Sequence, residues 1–485
     1  MSTRWIPTLA LAAALTGCPD PKPYDDGGAG DVASTPTDAR HDRTPADARS
    51  DQGDPNTWAM AIPSTGAVAT VDLVRDSADN LYLAGQFYNL TTFGQTPLTP
   101  ADGNDVYVSS VDNKGKVRWV KRFGGAGSEL CHRLARDAKG NLYVTGRFTK
   151  QISFGATTLT SKGSYDVFFA KLDPAGKPLW ARSGGSKYED RGQGITADGA
   201  GNVYVVGEFN KDATFGKHTL TSRGGIDLFV AKLDAGGSYS WIKTAGGTRV
   251  DRALAAAATP DGKLFVTGQI NGEATFGAAK FKPKNTYHDA FVARYSPSGS
   301  VVWVRGAGGL GTDVGQNIAV DSAGNSYITG VFEKVGTFGT LEVSSRGFRD
   351  VFAARLDAAG TFVWAASGGG SGLDQGVGLS LDKAGNTYIT GVFQSSSATF
   401  GSVTLKRAGG EDAFVARVNK KGAFDWAVAA GGTYLDGGNG VVMGGDGYLR
   451  AAGYFRSETA SFGVHSLNLD KSQPYAVYVW KLAVK

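Results

Sequence analysis

Three rows of residues recur along this chain at one spacing, and that period constrains the fold more than any other feature. Phe-Gly pairs begin at Phe93, Phe154, Phe215, Phe276, Phe338, Phe400 and Phe462, always 61 or 62 residues apart. Trp58, Trp119, Trp180, Trp241, Trp303, Trp364 and Trp426 keep the same step, as do Gly85, Gly146, Gly207, Gly268, Gly330, Gly391 and Gly453. A period of this size marks one supersecondary unit repeated seven times. It also accounts for a length of 485 residues, which exceeds one ordinary compact domain.

Within a unit, residues 315–332 (GQNIAVDSAGNSYITGVF) place two β-branched and aromatic runs on either side of Ser322-Ala323-Gly324-Asn325, which predicts a hairpin. Residues 350–367 divide in the same way at Ala358-Ala359-Gly360. Two hairpins give four antiparallel strands, named a to d in chain order, and no run of helical period interrupts them. Sixty-one residues are too few for a sandwich of about 100 residues and too many for a solenoid rung of roughly 20 to 45. Radial packing remains, and the expected fold is an all-β, seven-bladed β-propeller of four-stranded antiparallel blades. Trp58 lies in a strand d that lacks strands a to c before it, while the last unit ends its pattern at strand c, AVYVWKL in residues 476–482. The fold is therefore expected to close by pairing of this N-terminal strand with the C-terminal blade.

The block D-x-F-x-A-x-L-D-x-x-G-x-x-x-W, as in 166–180, and the block D-x-x-G-N-x-Y-x-x-G-x-F, as in 137–148, resemble those of the SBBP family, the bacterial seven-bladed β-propeller repeat. The resemblance covers 58–485. It implies the fold and an exported or surface setting, and brings no catalytic residues. The turn between strands c and d also resembles the Trp-docking motif of pyrroloquinoline-quinone propellers. Its turn, Asp173 to Gly176, is one residue shorter, and further quinone ligands are not found.

Ahead of the repeats, residues 1–17 set Arg4 before an apolar run that ends in small residues, the pattern of an export signal. Leu15-Thr16-Gly17-Cys18 resembles the bacterial lipobox, which implies cleavage before Cys18 and its acylation, hence contact with a lipid bilayer. Residues 18–56 read as a disordered acidic tether rich in Pro, Gly and Asp, with nine acidic and four basic side chains. The repeat domain, 57–485, keeps 45 basic against 36 acidic residues, about +9, spread without clusters, so no nucleic-acid binding is expected. Cys131 is the only thiol after Cys18, so no disulfide within the mature chain can form and stability must come from packing.

One row carries chemistry: Glu129, Asp190, Asp251, Asp313, Asp374 and Asp436, at the start of strand a, with Val68 in the first unit. If strand a is innermost, these carboxylates ring a mouth of the central channel and could take a cation, with calcium the candidate, or a basic ligand. The alternative is that each caps a turn by accepting backbone N–H groups. Three residues further on, His132, Gln193, Gln316 and Asn439 are candidates for a partly polar channel lining. No Walker loop, HExxH, zinc spacing or nucleophile elbow occurs, and no cofactor is predicted. The expected function is a non-catalytic, monomeric module, lipid-anchored on the bacterial outer membrane or cell surface, that binds a protein or glycan. A metal-dependent hydrolase or lyase using the acidic row, and an envelope assembly scaffold, are the alternatives.

Overall fold

A computed structural model describes residues 54–284 and 287–484. They form antiparallel β-sheets, with no helix among the described residues. Strand a occurs at Val68–Arg75, Glu129–Arg136, Arg191–Ala197, Arg252–Ala258, Val314–Val320, Asp374–Leu381 and Asp436–Met443. Each pairs with a strand b, b with c, and c with d, as in Asp374–Leu381, Thr387–Phe393, Asp412–Val418 and Phe424–Gly432. Strands b and c are buried along nearly their whole length, because both faces are covered by neighbouring sheets. This is a β-propeller-type repeat.

Each recurrent residue has a local cause. Every strand a carries a β-bulge, for example between Cys131 and Arg133 and between Gly376 and Gly378. The bulge turns a strand a carbonyl toward strand b, opposite the Gly row. A Cβ on Gly85, Gly146, Gly207, Gly268, Gly330, Gly391 or Gly453 would strike that oxygen, so only glycine fits. Two residues later, Phe87, Phe148, Phe209, Ile270, Phe332, Phe393 and Phe455 are fully buried in the core.

The D-x-x-G-N-x-Y block is an Asx turn extended by two side chains. Asp137 Oδ1 accepts from Asn141 N (2.8 Å), while its Oδ2 accepts from Asn141 Nδ2 (2.7 Å) and Tyr143 Oη (2.9 Å). The Trp row docks across units. Trp180 Nε1 donates to Ala235 O (3.1 Å) and its ring covers Gly237, the turn glycine of the next unit at φ +83°. Trp241, on Pro297 O at 3.1 Å, and Trp303, on Ala358 O at 3.4 Å, repeat the contact. Gly237→Ala should cost about 2–4 kcal/mol in urea unfolding, because the Cβ meets left-handed strain and the indole 2.9 Å away. Gly447→Ala, at the same φ of +83° with nothing within 4 Å, should lose only the backbone part, about 1–2 kcal/mol.

The Phe-Gly row marks a third hairpin, between strands b and c, that the four-strand reading omits. These short strands pair with strand d of the preceding unit: Ala245↔Phe276, Ala307↔Phe338, Gly368↔Phe400 and Ala430↔Phe462. Sheets of six strands result, such as 374–381, 387–393, 412–418, 424–432, 459–462 and 465–468 in spatial order. Trp58–Ser64 occupies the strand d position beside Tyr475–Leu482, in register from Trp58↔Lys481 to Ser64↔Tyr475. Its far edge receives the first unit's hairpin at Ser64↔Thr91.

Candidate functional site

The acidic row is buried, each side chain 0–1 % exposed. Strand a begins where the chain leaves strand d, and the carboxylate fastens that loop. Asp251 Oδ2 accepts from Gly247 N (2.7 Å) and Oδ1 from Asn271 N (2.8 Å). Asp313 accepts from Gly309 N (2.7 Å) and Glu333 N (3.2 Å), and Asp190 and Asp436 add the hydroxyls of Ser186 and Ser457, each at 2.7 Å. The capping geometry is thus the one present at these five aspartates. Their own N–H groups bond back to the preceding unit, as Asp251 N does to Ile226 O (2.8 Å).

Each of these residues faces not another member of the row but a second carboxylate at the start of the preceding strand c. The pairs are Asp105 with Glu129, Asp166 with Asp190, Asp227 with Asp251, Asp289 with Asp313, Asp350 with Asp374, and Asp412 with Asp436. Where the last unit meets the first both acids are absent, since Val68 stands at the start of strand a and Ala476 at the start of strand c. The strand c member accepts one N–H, four or five residues upstream, for instance Asp227 Oδ2 from Arg223 N (3.0 Å). Asp166, Asp227, Asp350 and Asp412 each leave a buried Oδ1 without a donor among the described residues.

Burial, followed by the facing carboxylate, raises Asp251 and Asp313 to about 7, and burial raises Asp227 to about 6. Glu129 rises to about 9 for the same reasons, with Asp105 as the facing carboxylate. Folded values above an unfolded carboxylate near 3.9 contribute stability that is complete below about pH 4 and is lost as pH rises through 6 to 7. Asp137, Asp321 and Asp382 act oppositely. Against burial, their Asn and Tyr donors hold them below the usual range, so their contribution is lost in acid. The melting temperature should therefore peak near about pH 4–5 and fall toward pH 8, which calorimetry across that range checks.

His132, Gln193, Gln316 and Asn439 are the bulge residues of their strands. His132 Nδ1 donates to Gly192 O (2.9 Å), and Asn439 Nδ2 to Thr70 O (2.6 Å), joining successive strands a. Burial, then Arg147, lowers His132 to about 3, so it is neutral. A cavity of about 430 Å³ between the strands a is lined from the next residue onward, starting at Arg133, Asn317 and Gly440 in these units. Cys131 is fully buried beside His132, and burial pushes its thiol up. Cys18 lies outside the described residues.

A belt of charge at the start of the strands a was not foreseen. Arg147 pairs with Glu189, Glu189 with Arg191 (3.0 Å), Arg191 with Glu208 (3.2 Å), and Glu208 with Arg252. Arg349–Glu333 (2.8 Å) and Tyr454–Glu411 (2.7 Å) extend it into later units. Burial, then Arg252 and Arg349, lowers His288 to about 4. At the same end, Tyr88, Tyr188, Tyr287, Phe348 and Tyr434 project from loops, 39–62 % exposed. The signal lay in the variable residue between Gly and Phe of strand b, held by Arg147, Glu208 and Tyr454, which the repeat consensus conceals.

The fold and these cross-unit joints define a β-propeller-type repeat protein. The family model for SBBP, a beta-propeller repeat, matches residues 182–208 and 302–331. An uncharacterized WD repeat-containing protein, L264, of Acanthamoeba polyphaga mimivirus is 20 % identical over 430 residues, covering 71 % of this chain and 31 % of its own. The regulatory protein FlaEY of Caulobacter vibrioides is 25 % identical over 308 residues, covering 58 % and 32 %. The chain thus spans about a third of the length of these curated relatives. A solved Bacteroides caccae protein of unknown function aligns with a TM-score of 0.35 at 10 % identity, over 67 % of this chain and 89 % of its own.

Proposed function

We propose that residues 57–485 close as a seven-bladed β-propeller, with Trp58–Ser64 as the outer strand of the last blade, and that the chain is a non-catalytic binding module for a protein or glycan. On this reading the propeller is exported and held on the bacterial outer membrane or cell surface by acylated Cys18 and the 18–56 tether. Asn439 bonding Thr70 O, and Arg75 Nε bonding Met443 O (2.7 Å), support the closure by tying the last unit to the first.

The observation that carries the binding role is the set of exposed rings at one end, Tyr88, Tyr188, Tyr287, Phe348 and Tyr434. They fill no core, and exposed aromatics beside partly buried arginines have the composition of interface anchors. The buried aspartates of the acidic row, by contrast, are engaged by N–H donors, which weighs against their use as catalytic groups or calcium ligands. The test is binding of the purified full chain to a native envelope fraction and to a glycan panel. The combined Tyr188→Ala, Phe348→Ala, Tyr434→Ala variant should lose at least about tenfold in affinity with an unchanged melting temperature. Undiminished binding would remove this surface from the reading. Turnover of a glycan or phosphoester, lost on substitution of the acidic row, would replace it with the metal-dependent enzyme.

A further inference from the structure

The cavity between the strands a is uneven in a way that the repeat alone does not produce. Its lining comes from all seven strands a, but all its charged residues come from the first two units: Asp72, Arg75, Arg133 and Arg136. The other units add no charge: Thr196, Asn317 and Ser380 are polar, and between them stands an aliphatic stretch with alanines at 255–258, Val320 and Leu379. Arg133 crosses this space. Its Nη2 donates to Gln316 O (3.1 Å), in a strand three units further along the chain. Arg133 Nε and Arg136 Nε are buried with no acceptor among the described residues.

Acids lie near these arginines, but none of them hydrogen-bonds Arg133 or Arg136 among the described residues. Asp72 lies beside Arg133, but its two oxygens accept backbone N–H groups, from Leu73 (2.9 Å) and Leu134 (3.2 Å). Arg75 is held by Asp79 (2.8 Å) and Met443 O. Arg136 lies over Tyr82, 6.0 Å from its ring centre, and near Asp76, with no hydrogen bond to either among the described residues. Two guanidinium groups thus face a space of small-molecule size with donors to spare, which the aliphatic stretch also lines. A planar fork of N–H donors suits a carboxylate best.

We propose that this cavity binds a small organic anion, a carboxylate on an aliphatic body, with its head on Arg133 and Arg136 and its body against the 255–258, Val320 and Leu379 stretch. The site is separate from the exposed rings and does not depend on the protein-or-glycan reading. Titration calorimetry of the full chain with hexanoate should give saturable binding at about 1 mM or tighter. Hexylammonium should give none, and inorganic phosphate should bind more weakly than hexanoate.

Arg136→Met, which breaks no hydrogen bond of the fold, should weaken hexanoate by about tenfold or more. The Tyr188, Phe348, Tyr434 variant should bind it unchanged. Arg133→Lys, which keeps the charge and loses the fork, should also weaken it while the protein still melts cooperatively. No saturable hexanoate binding, equal binding of hexylammonium, or an unaffected Arg136→Met would overturn the site. Phosphate binding as tightly as hexanoate would overturn the aliphatic part of the assignment.

Discussion

Deleting residues 57–62 is expected to abolish cooperative unfolding or lower the melting temperature drastically, whereas deleting 19–50 should leave it unchanged. The strand Trp58–Ser64 pairs along its full length with Tyr475–Leu482 and receives the Thr91–Phe93 hairpin on its other edge. Ile62 is fully buried in a cluster with Val68, Phe87, Val477 and Val479. Trp58 Nε1 reaches Asn113 O (3.2 Å) in the first unit, and its ring covers Gly115. Removing the strand exposes the edges of the first and last units together. The loss is on the order of the whole stability of a domain, about 5–15 kcal/mol. Scanning calorimetry of both deletions decides it, and equal melting temperatures would show that the strand holds nothing together.

Substituting the two members of one carboxyl pair should have opposite effects. Asp374 accepts from Gly370 N (2.6 Å), Gln394 N (3.1 Å) and Ser395 Oγ (2.6 Å) while fully buried. Asp374→Ala leaves these donors without an acceptor, and at about 1–3 kcal/mol each the loss should reach about 3–6 kcal/mol. Asp350 accepts only Arg346 N (2.6 Å), and its second oxygen meets no donor among the described residues. Asp350→Asn keeps that acceptor, adds an N–H toward Asp374 and removes a facing charge. It should therefore raise stability at pH 8 and change it little at pH 5. Denaturant unfolding of both variants at the two pH values separates a proton-sharing pair from two independent caps, for which Asp350→Asn would be neutral at either pH.

Much of this fold is readable in the chain because its joints recur, the Gly row in seven units, the Trp contact in six and the Asp-Asn-Tyr turn in five. The Gly row opposite the bulge, the Asp-Asn-Tyr turn and the Trp that covers a neighbouring glycine each recur at fixed steps. The third hairpin was missed because its strands run only three or four residues in most units and pair with the preceding unit. The carboxyl pairs were missed for a related reason. Asp227 and Asp251 are 24 residues apart and belong to different units, and no alternation links them. The acidic row was legible as a row, but its burial was not, because burial depends on the loop that closes over it. Arg147, Glu208 and Arg133 were hidden by the repeat itself, which averages away the residues that differ between units.

The Phe-Gly hairpins also bear on solubility. A sheet that ended at strand d would offer seven to nine residues of open hydrogen-bonding edge, as in Phe424–Gly432. The hairpin covers the end of that edge and leaves outermost such short segments as Thr96–Leu98, which includes Pro97, or Val403–Lys406. Edges this short, one of them interrupted by proline, are poor templates for a strand from another molecule. Each unit thus shields the end of its predecessor's outer strand from pairing with another sheet, a protection that comes from the order of the units and not from any one of them.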